Sequence, residues 1–157
     1  MRFVARQDSV ATVVPPSHEG GVTRLRLALT LPRAPTTLPT VRALLDAALT
    51  LAGAAEGCRG DLAVALTEAC TNAIVHAHGS SGYTVGVTLS GGTCVIDVSD
   101  TGVGLDPPAL DGDVPDRLTD GGRGLFLMRR CTDTLELRPV RPHGLAVRMC
   151  KDLTYAA

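Results

Sequence analysis

The chain has 157 residues, 45% of them hydrophobic, and its fifteen basic and sixteen acidic side chains nearly cancel. That is one domain's length, and with no apolar run near the roughly 18 residues of a membrane span and no signal-peptide core at the start, a cytoplasmic protein without membrane contact is expected. Two Phe, two Tyr and no Trp leave little aromatic surface for stacking bases, which together with the balanced charge argues against nucleic acid as a partner.

Residues 1–21 end in Pro15, Pro16, Gly20 and Gly21, which cannot continue a helix or a central strand, so a tail or loosely attached edge is expected there. Leu25, Leu27, Leu29 and Leu31 then alternate with Arg24, Arg26, Ala28 and Thr30, the period of a strand with one apolar face. From Thr37, a suitable N-cap with Pro39 just inside, Leu38, Val41, Leu45, Ala48 and Ala52 keep helical spacing to about Ala55. Gly57 and Gly60 are expected to separate this helix from a second one, Asp61 to His76, on which Asp61, Ala65, Glu68, Asn72 and His76 share a face.

Val85, Val87 and Leu89, then Cys94, Ile96 and Val98, predict two strands joined as a hairpin at Gly91 and Gly92. The stretch from Leu105 to Gly122 is rich in Pro, Gly and Asp, and a loop this long in a compact domain is expected to be functional or mobile without ligand. A short helix from about Arg123 to Cys131 follows, then a second hairpin with Leu135, Leu137, Leu145, Val147 and Met149 on one side. This order predicts an α+β fold, a two-layer sandwich of a mostly antiparallel sheet with its helices on one face. The domain is expected over residues 22–153, with a C-terminal tail at 154–157. The five cysteines, Cys58, Cys70, Cys94, Cys131 and Cys150, include no Cys-x-x-Cys pair and read as reduced core residues.

Three blocks carry chemistry. Glu68 and Asn72 lie one turn apart in an apolar helix, where a carboxylate and a carboxamide need polar partners. Asn72 offers an oxygen to Mg²⁺, and Glu68 is placed to act as a general base; the plainer reading is a solvated Glu and an incidental Asn. Asp100 ends a strand and can accept a hydrogen bond from an exocyclic amine such as adenine N6, with Gly102 and Gly104 allowing backbone close to a flat ring; the alternative is an ordinary Asp-x-Gly turn. Gly122, Arg123, Gly124 and Leu125 open a helix whose N–H groups can face an anion, with Arg123 adding a charged contact to a terminal phosphate; the alternative is a hinge that merely needs glycines.

A Walker loop is excluded because no Gly-Lys-Ser or Gly-Lys-Thr occurs, and a calcium loop from Asp111 would need Glu where Gly122 stands. His76 and His78 read as helix termination beside the negative end of the helix rather than as a metal pair, and Arg129 and Arg130 as a solvated face.

At these blocks, in this order, the chain resembles the Bergerat-fold (GHKL, histidine-kinase-like) ATPases. The wording of Leu66 to Ala77, Asp100 to Pro107 and Gly122 to Met128 is most similar to the bacterial anti-sigma-factor serine/threonine kinases. The resemblance implies ATP and Mg²⁺ as cofactors, with Glu68 as catalytic base, Asn72 as Mg²⁺ ligand and Asp100 reading adenine. Gly102, Gly104, Gly122 and Gly124 would shape the pocket and lid. It also implies a sigma factor as binding partner, a STAS-type anti-anti-sigma protein as phosphorylation substrate, and homodimers, which are usual in the family. A non-catalytic ATP-binding module acting only by gripping a protein is the alternative. The catalytic half of a histidine kinase would need a phosphoacceptor helix, which Gly20 and Gly21 break beside His18. A gyrase or mismatch-repair type would need a transducer domain, for which this length leaves no room.

Overall fold

The structure, a computed structural model, describes residues 2–5, 9–19, 22–102, 120–140 and 142–155. Seven strands, β1 (Arg2–Ala5), β2 (Ser9–Glu19), β3 (Val22–Pro32), β4 (Gly82–Ser90), β5 (Thr93–Asp100), β6 (Thr134–Pro139) and β7 (Leu145–Asp152), form one sheet in the order β1-β2-β3-β4-β5-β7-β6. Every neighbouring pair is antiparallel. Three helices, α1 (Leu38–Leu51), α2 (Glu56–His76) and α3 (Asp120–Cys131), complete the α+β fold. The chain passes from β5 through α3 to β6, and β7 then returns between them.

The period-two pattern does the sorting. Leu25, Leu27, Leu29 and Leu31 of β3, Val85, Val87 and Leu89 of β4, and Cys94, Ile96 and Val98 of β5 are buried and pack with the helices, while the alternate side chains stay at least partly exposed. Leu135, Leu137 and Leu145 join this core from the second hairpin, as their alternation predicts. Leu45, Leu49, Leu62 and Leu66 fill the layer between at 0–1% exposure. Truncating side chains buried this completely costs about 2–5 kcal/mol each. On the open face, Arg148 of β7 stands opposite Asp97 of β5 on one side and Glu136 of β6 on the other. Its Nε meets Asp97 Oδ1 at 2.7 Å, although an exposed pair of this kind contributes only about 0–1 kcal/mol.

β2 runs through Pro15 and Pro16, in the segment expected to be a tail or a loosely attached edge. Its register on β3 shifts between Val14 and Ser17, and β1 pairs only with Ser9 to Thr12. Among the described residues neither proline has a ladder partner, so a missing N–H at this bulge interrupts no described pairing. Thr154 and Tyr155, beyond β7, return to α1's end: the Ala55 N–H donates to Thr154 O at 2.7 Å, and Tyr155 bridges Ala54.

The helix boundaries depart from the sequence reading in physically instructive ways. The break between α1 and α2 lies at Gly53, with φ +76°, where the Gly53 and Ala54 N–H groups return to Thr50 O and Leu49 O, both at 3.0 Å. Gly57 and Gly60 instead lie inside the first turns of α2. Thr37 is no N-cap. It adopts helical dihedrals in a 3₁₀ turn (Pro35–Thr37), and its hydroxyl donates to Ala34 O at 2.7 Å while standing 2.6 Å from Tyr83 Oη. With that proton committed, Tyr83 donates to Thr37. Burial pushes both the Cys70 thiol and the Tyr83 phenol up to about 12, so neither ionises near neutral pH.

α2 lacks a single apolar stripe because it is the middle helix, flanked by α1 and α3 and lying on the sheet. Cys58, Cys70 and Cys94 are buried, Cys131 and Cys150 half-buried, and all five are free thiols. Among the described residues, no helix is long and apolar enough to cross a membrane.

Candidate functional site

The C-terminal half of α2 and the last residues of β5 and first of β7 enclose a cleft. Ala69, Asn72, Ala73, His76, Val98, Asp100, Leu145 and Val147 line about 350 Å³ of space, part of it open to solvent. Its walls are mostly apolar with a few convergent polar groups, the usual make-up of a small-molecule site. Two of the predicted site residues, Asn72 and Asp100, thus face the same space from a helix and a strand. His76, read from the sequence as a helix terminator, ends α2 and also lines the cleft.

Glu68 lies one turn before Asn72, and Gly124 of α3 seats itself on the pair. A Cβ added at Gly124 would stand 3.1 Å from Glu68 Oε2 and 3.5 Å from each polar atom of the Asn72 amide. Even a methyl here would press on the Glu68 carboxylate, so a glycine lets α3 come this close without displacing it. The glycine was expected to turn its N–H toward an anion ahead of the helix. Because α3 already begins at Asp120, Gly124 lies past the first turn, with its N–H inside the helix's own bonding pattern. Gly122 lies in that first turn. Arg123 is exposed, and Leu125 packs against the core. Gly104 and the loop up to Thr119 lie outside the described residues.

Asp61, grouped with Glu68 by spacing, belongs elsewhere: its Oδ2 is 3.2 Å from Lys151 Nζ of β7. His78 and both Arg129 and Arg130 are exposed.

Asp100 is 8% exposed. Burial pushes its carboxyl above the ordinary value, against the Gly102 and Leu145 N–H groups and the Arg33 charge, which pull it down. The Gly102 N–H donates to Asp100 Oδ1 at 3.0 Å. Gly102 itself rests on the end of α2, where a Cβ would overlap the Ala77 carbonyl.

Sequence reasoning missed two contributors to this corner. Gly144, with φ +133°, brings the turn before β7 so close that a Cβ would overlap the Asp100 carbonyl oxygen. That approach places the Leu145 N–H among the groups that pull the Asp100 carboxyl down. Arg33, just after β3, donates from Nε to Ile74 O at 2.7 Å and from Nη1 to Ala77 O at 2.5 Å. The only hint in the sequence was negative: no glycine follows His76 directly to close the helix.

Residues 31–151 match the family described as Histidine kinase-like ATPase domain. The chain belongs to that family. The fold of this ATPase domain is similar to that in the crystal structure of the RsbU and RsbW domains of Rv1364c from Mycobacterium tuberculosis, with TM-score 0.65 and 22% identity over 84% of this chain and 33% of that chain. It is also similar to the SiaB-SiaC complex from Pseudomonas aeruginosa, with TM-score 0.63 and 16% identity over 78% of this chain and 87% of that chain. The ATPase domain thus spans about a third of the first of these chains. Among curated proteins, none matches significantly.

A Mg²⁺ accompanying a nucleotide would need only a few protein oxygens. Among the described residues, no group of three or more His, Cys, Asp or Glu converges. Asn72 can supply one oxygen, leaving the other positions to phosphates and water, the arrangement Mg²⁺ favours.

Proposed function

We propose that this chain is an ATP-dependent anti-sigma factor with protein serine/threonine kinase activity. It sequesters a sigma factor and phosphorylates a STAS-type anti-anti-sigma protein, and it works as a homodimer. The observation that carries the reading is the joining of the three blocks: Asn72 and Asp100 share one cleft, and Gly124 locks Glu68 beside Asn72.

Each residue has a task in that reading. Asp100, held by the Gly102 N–H, accepts a hydrogen bond from the exocyclic amine of adenine, while Ala73, Val98, Leu145 and Val147 cover the ring. Asn72 presents its carboxamide oxygen to the cation, which when bound screens the charge on the phosphate oxygens. Glu68 accepts the proton of the attacking serine hydroxyl as that oxygen takes the γ-phosphoryl group and ADP departs. Arg123, on the first turn of α3, is the cation available to a terminal phosphate.

Transfer of label from γ-³²P-ATP to a cognate STAS-domain protein tests the proposal. The expected result is Mg²⁺-dependent phosphoserine or phosphothreonine on that protein. ATP-dependent binding of it without any transfer would establish the non-catalytic module instead.

A further inference from the structure

We infer that Arg33 is a positioning residue for base recognition: by clamping the C-terminal carbonyls of α2 it holds the surface on which the Asp100 corner is built. The inference rests on the proposed reading of Asp100 as the group that recognises adenine.

The contacts form a continuous path. A helix ends with four carbonyls lacking intrahelical partners; after α2 the turn at Gly79, φ +82°, returns the Ser80 N–H to Ala77 O at 3.2 Å and the His78 N–H to His76 O at 2.8 Å, which leaves Ile74 O and the second lone pair of Ala77 O to be met. Arg33 fills that gap from 41 and 44 residues away, its Nε on Ile74 O and its Nη1 on Ala77 O. Its own N–H donates to Ser81 O at 3.2 Å, so the clamp is pinned at the backbone as well. A cation here also complements the negative end of the helix. Ala77 is the backbone on which Gly102 rests without room for a Cβ, and the Gly102 N–H sets Asp100 Oδ1 at 3.0 Å. The guanidinium charge lies near enough to act on the carboxylate itself.

A planar fork reaching two carbonyls in different directions is a task for Arg and poorly matched by the single head of Lys. Loss of the fork leaves Ala77 O with the longer bond from the Ser80 N–H, and a misplacement transmitted through Gly102 moves the carboxylate that distinguishes purines at their exocyclic position. A general loosening would weaken every nucleotide alike. Loss of aim weakens only the nucleotide whose amine Asp100 meets.

The test compares ATP with inosine triphosphate, which replaces the adenine amine by a carbonyl. Calorimetry is run on the full chain, wild type, Arg33→Met and Arg33→Lys, with thermal melts on each. Wild type is expected to prefer ATP. Arg33→Met is expected to lose about tenfold in ATP affinity with inosine triphosphate unchanged, and Arg33→Lys to recover part of the difference. In a double-mutant cycle, Arg33→Met added to Asp100→Asn should cost little more than Asp100→Asn alone.

Equal losses for both nucleotides, unchanged ATP affinity in Arg33→Met, or additive losses in the cycle would each overturn the inference while leaving Asp100 recognition intact. Should Arg33→Met fail to fold, Arg33→Lys decides by the same comparison, and unfolding of both would make Arg33 a fold residue and overturn the inference too. A wild type that binds ATP and inosine triphosphate equally would remove the Asp100 reading, and this inference with it.

Discussion

Glu68→Gln is expected to lower γ-phosphate transfer to the antagonist serine by about 10²- to 10⁴-fold, the usual contribution of a positioned general base. Gln keeps the shape and the hydrogen-bonding reach of Glu and fits beside Gly124, so α3 should stay seated on α2. ATP affinity and sigma-factor binding should therefore persist. The loss should appear in the rate of transfer at saturating ATP rather than in the nucleotide concentration needed. Single-turnover transfer with labelled ATP reads this directly; transfer at the wild-type rate in Glu68→Gln would remove Glu68 from the chemistry.

Gly124→Val tests the geometry rather than the proton. A Cβ at this position already stands 3.1 Å from Glu68 Oε2 and 3.5 Å from the Asn72 amide, and Val adds two methyl groups beyond it. Either α3 lifts away or the Glu68 and Asn72 side chains are displaced. A shift of about 1 Å at reacting groups costs about 10²-fold in rate. Transfer is therefore expected to fall by about that factor in Gly124→Val. Gly60→Val is the control, because a Cβ at Gly60 meets nothing within 4 Å. Equal activity of the two variants would show that the seating of α3 on α2 does not position the site.

Much of this arrangement was legible in the sequence because its signals are local. The alternation in β3 to β5 and the Gly91 and Gly92 turn depend only on neighbouring residues, and the four-residue step from Glu68 to Asn72 is one helical turn. What escaped depends on distance or on context. Arg33 and its carbonyl partners lie far apart in sequence, and Gly144 meets Asp100 only once β7 has returned beside β5. Gly57 and Gly60 looked like breakers because glycine disfavours helix interiors, yet both lie where the helix is covered by nothing. Thr37 looked like a cap, but a buried tyrosine hydroxyl competes for the same side chain. Asp61 followed the helical spacing of the site and was instead claimed by Lys151.

The central claim is that this cleft binds ATP with Asp100 reading the base. Isothermal calorimetry with Mg-ATP on wild type and Asp100→Asn tests it most directly. Asn keeps the shape but places an amide where a carboxylate accepted the exocyclic amine, and hydrogen bonds to charged groups contribute about 1.5–3 kcal/mol. The expected result is wild-type binding with Kd below about 1 mM and a loss of about 10- to 100-fold in Asp100→Asn. Wild-type protein without adenine-nucleotide affinity into the millimolar range, or an Asp100→Asn variant that binds ATP as tightly as wild type, would contradict it.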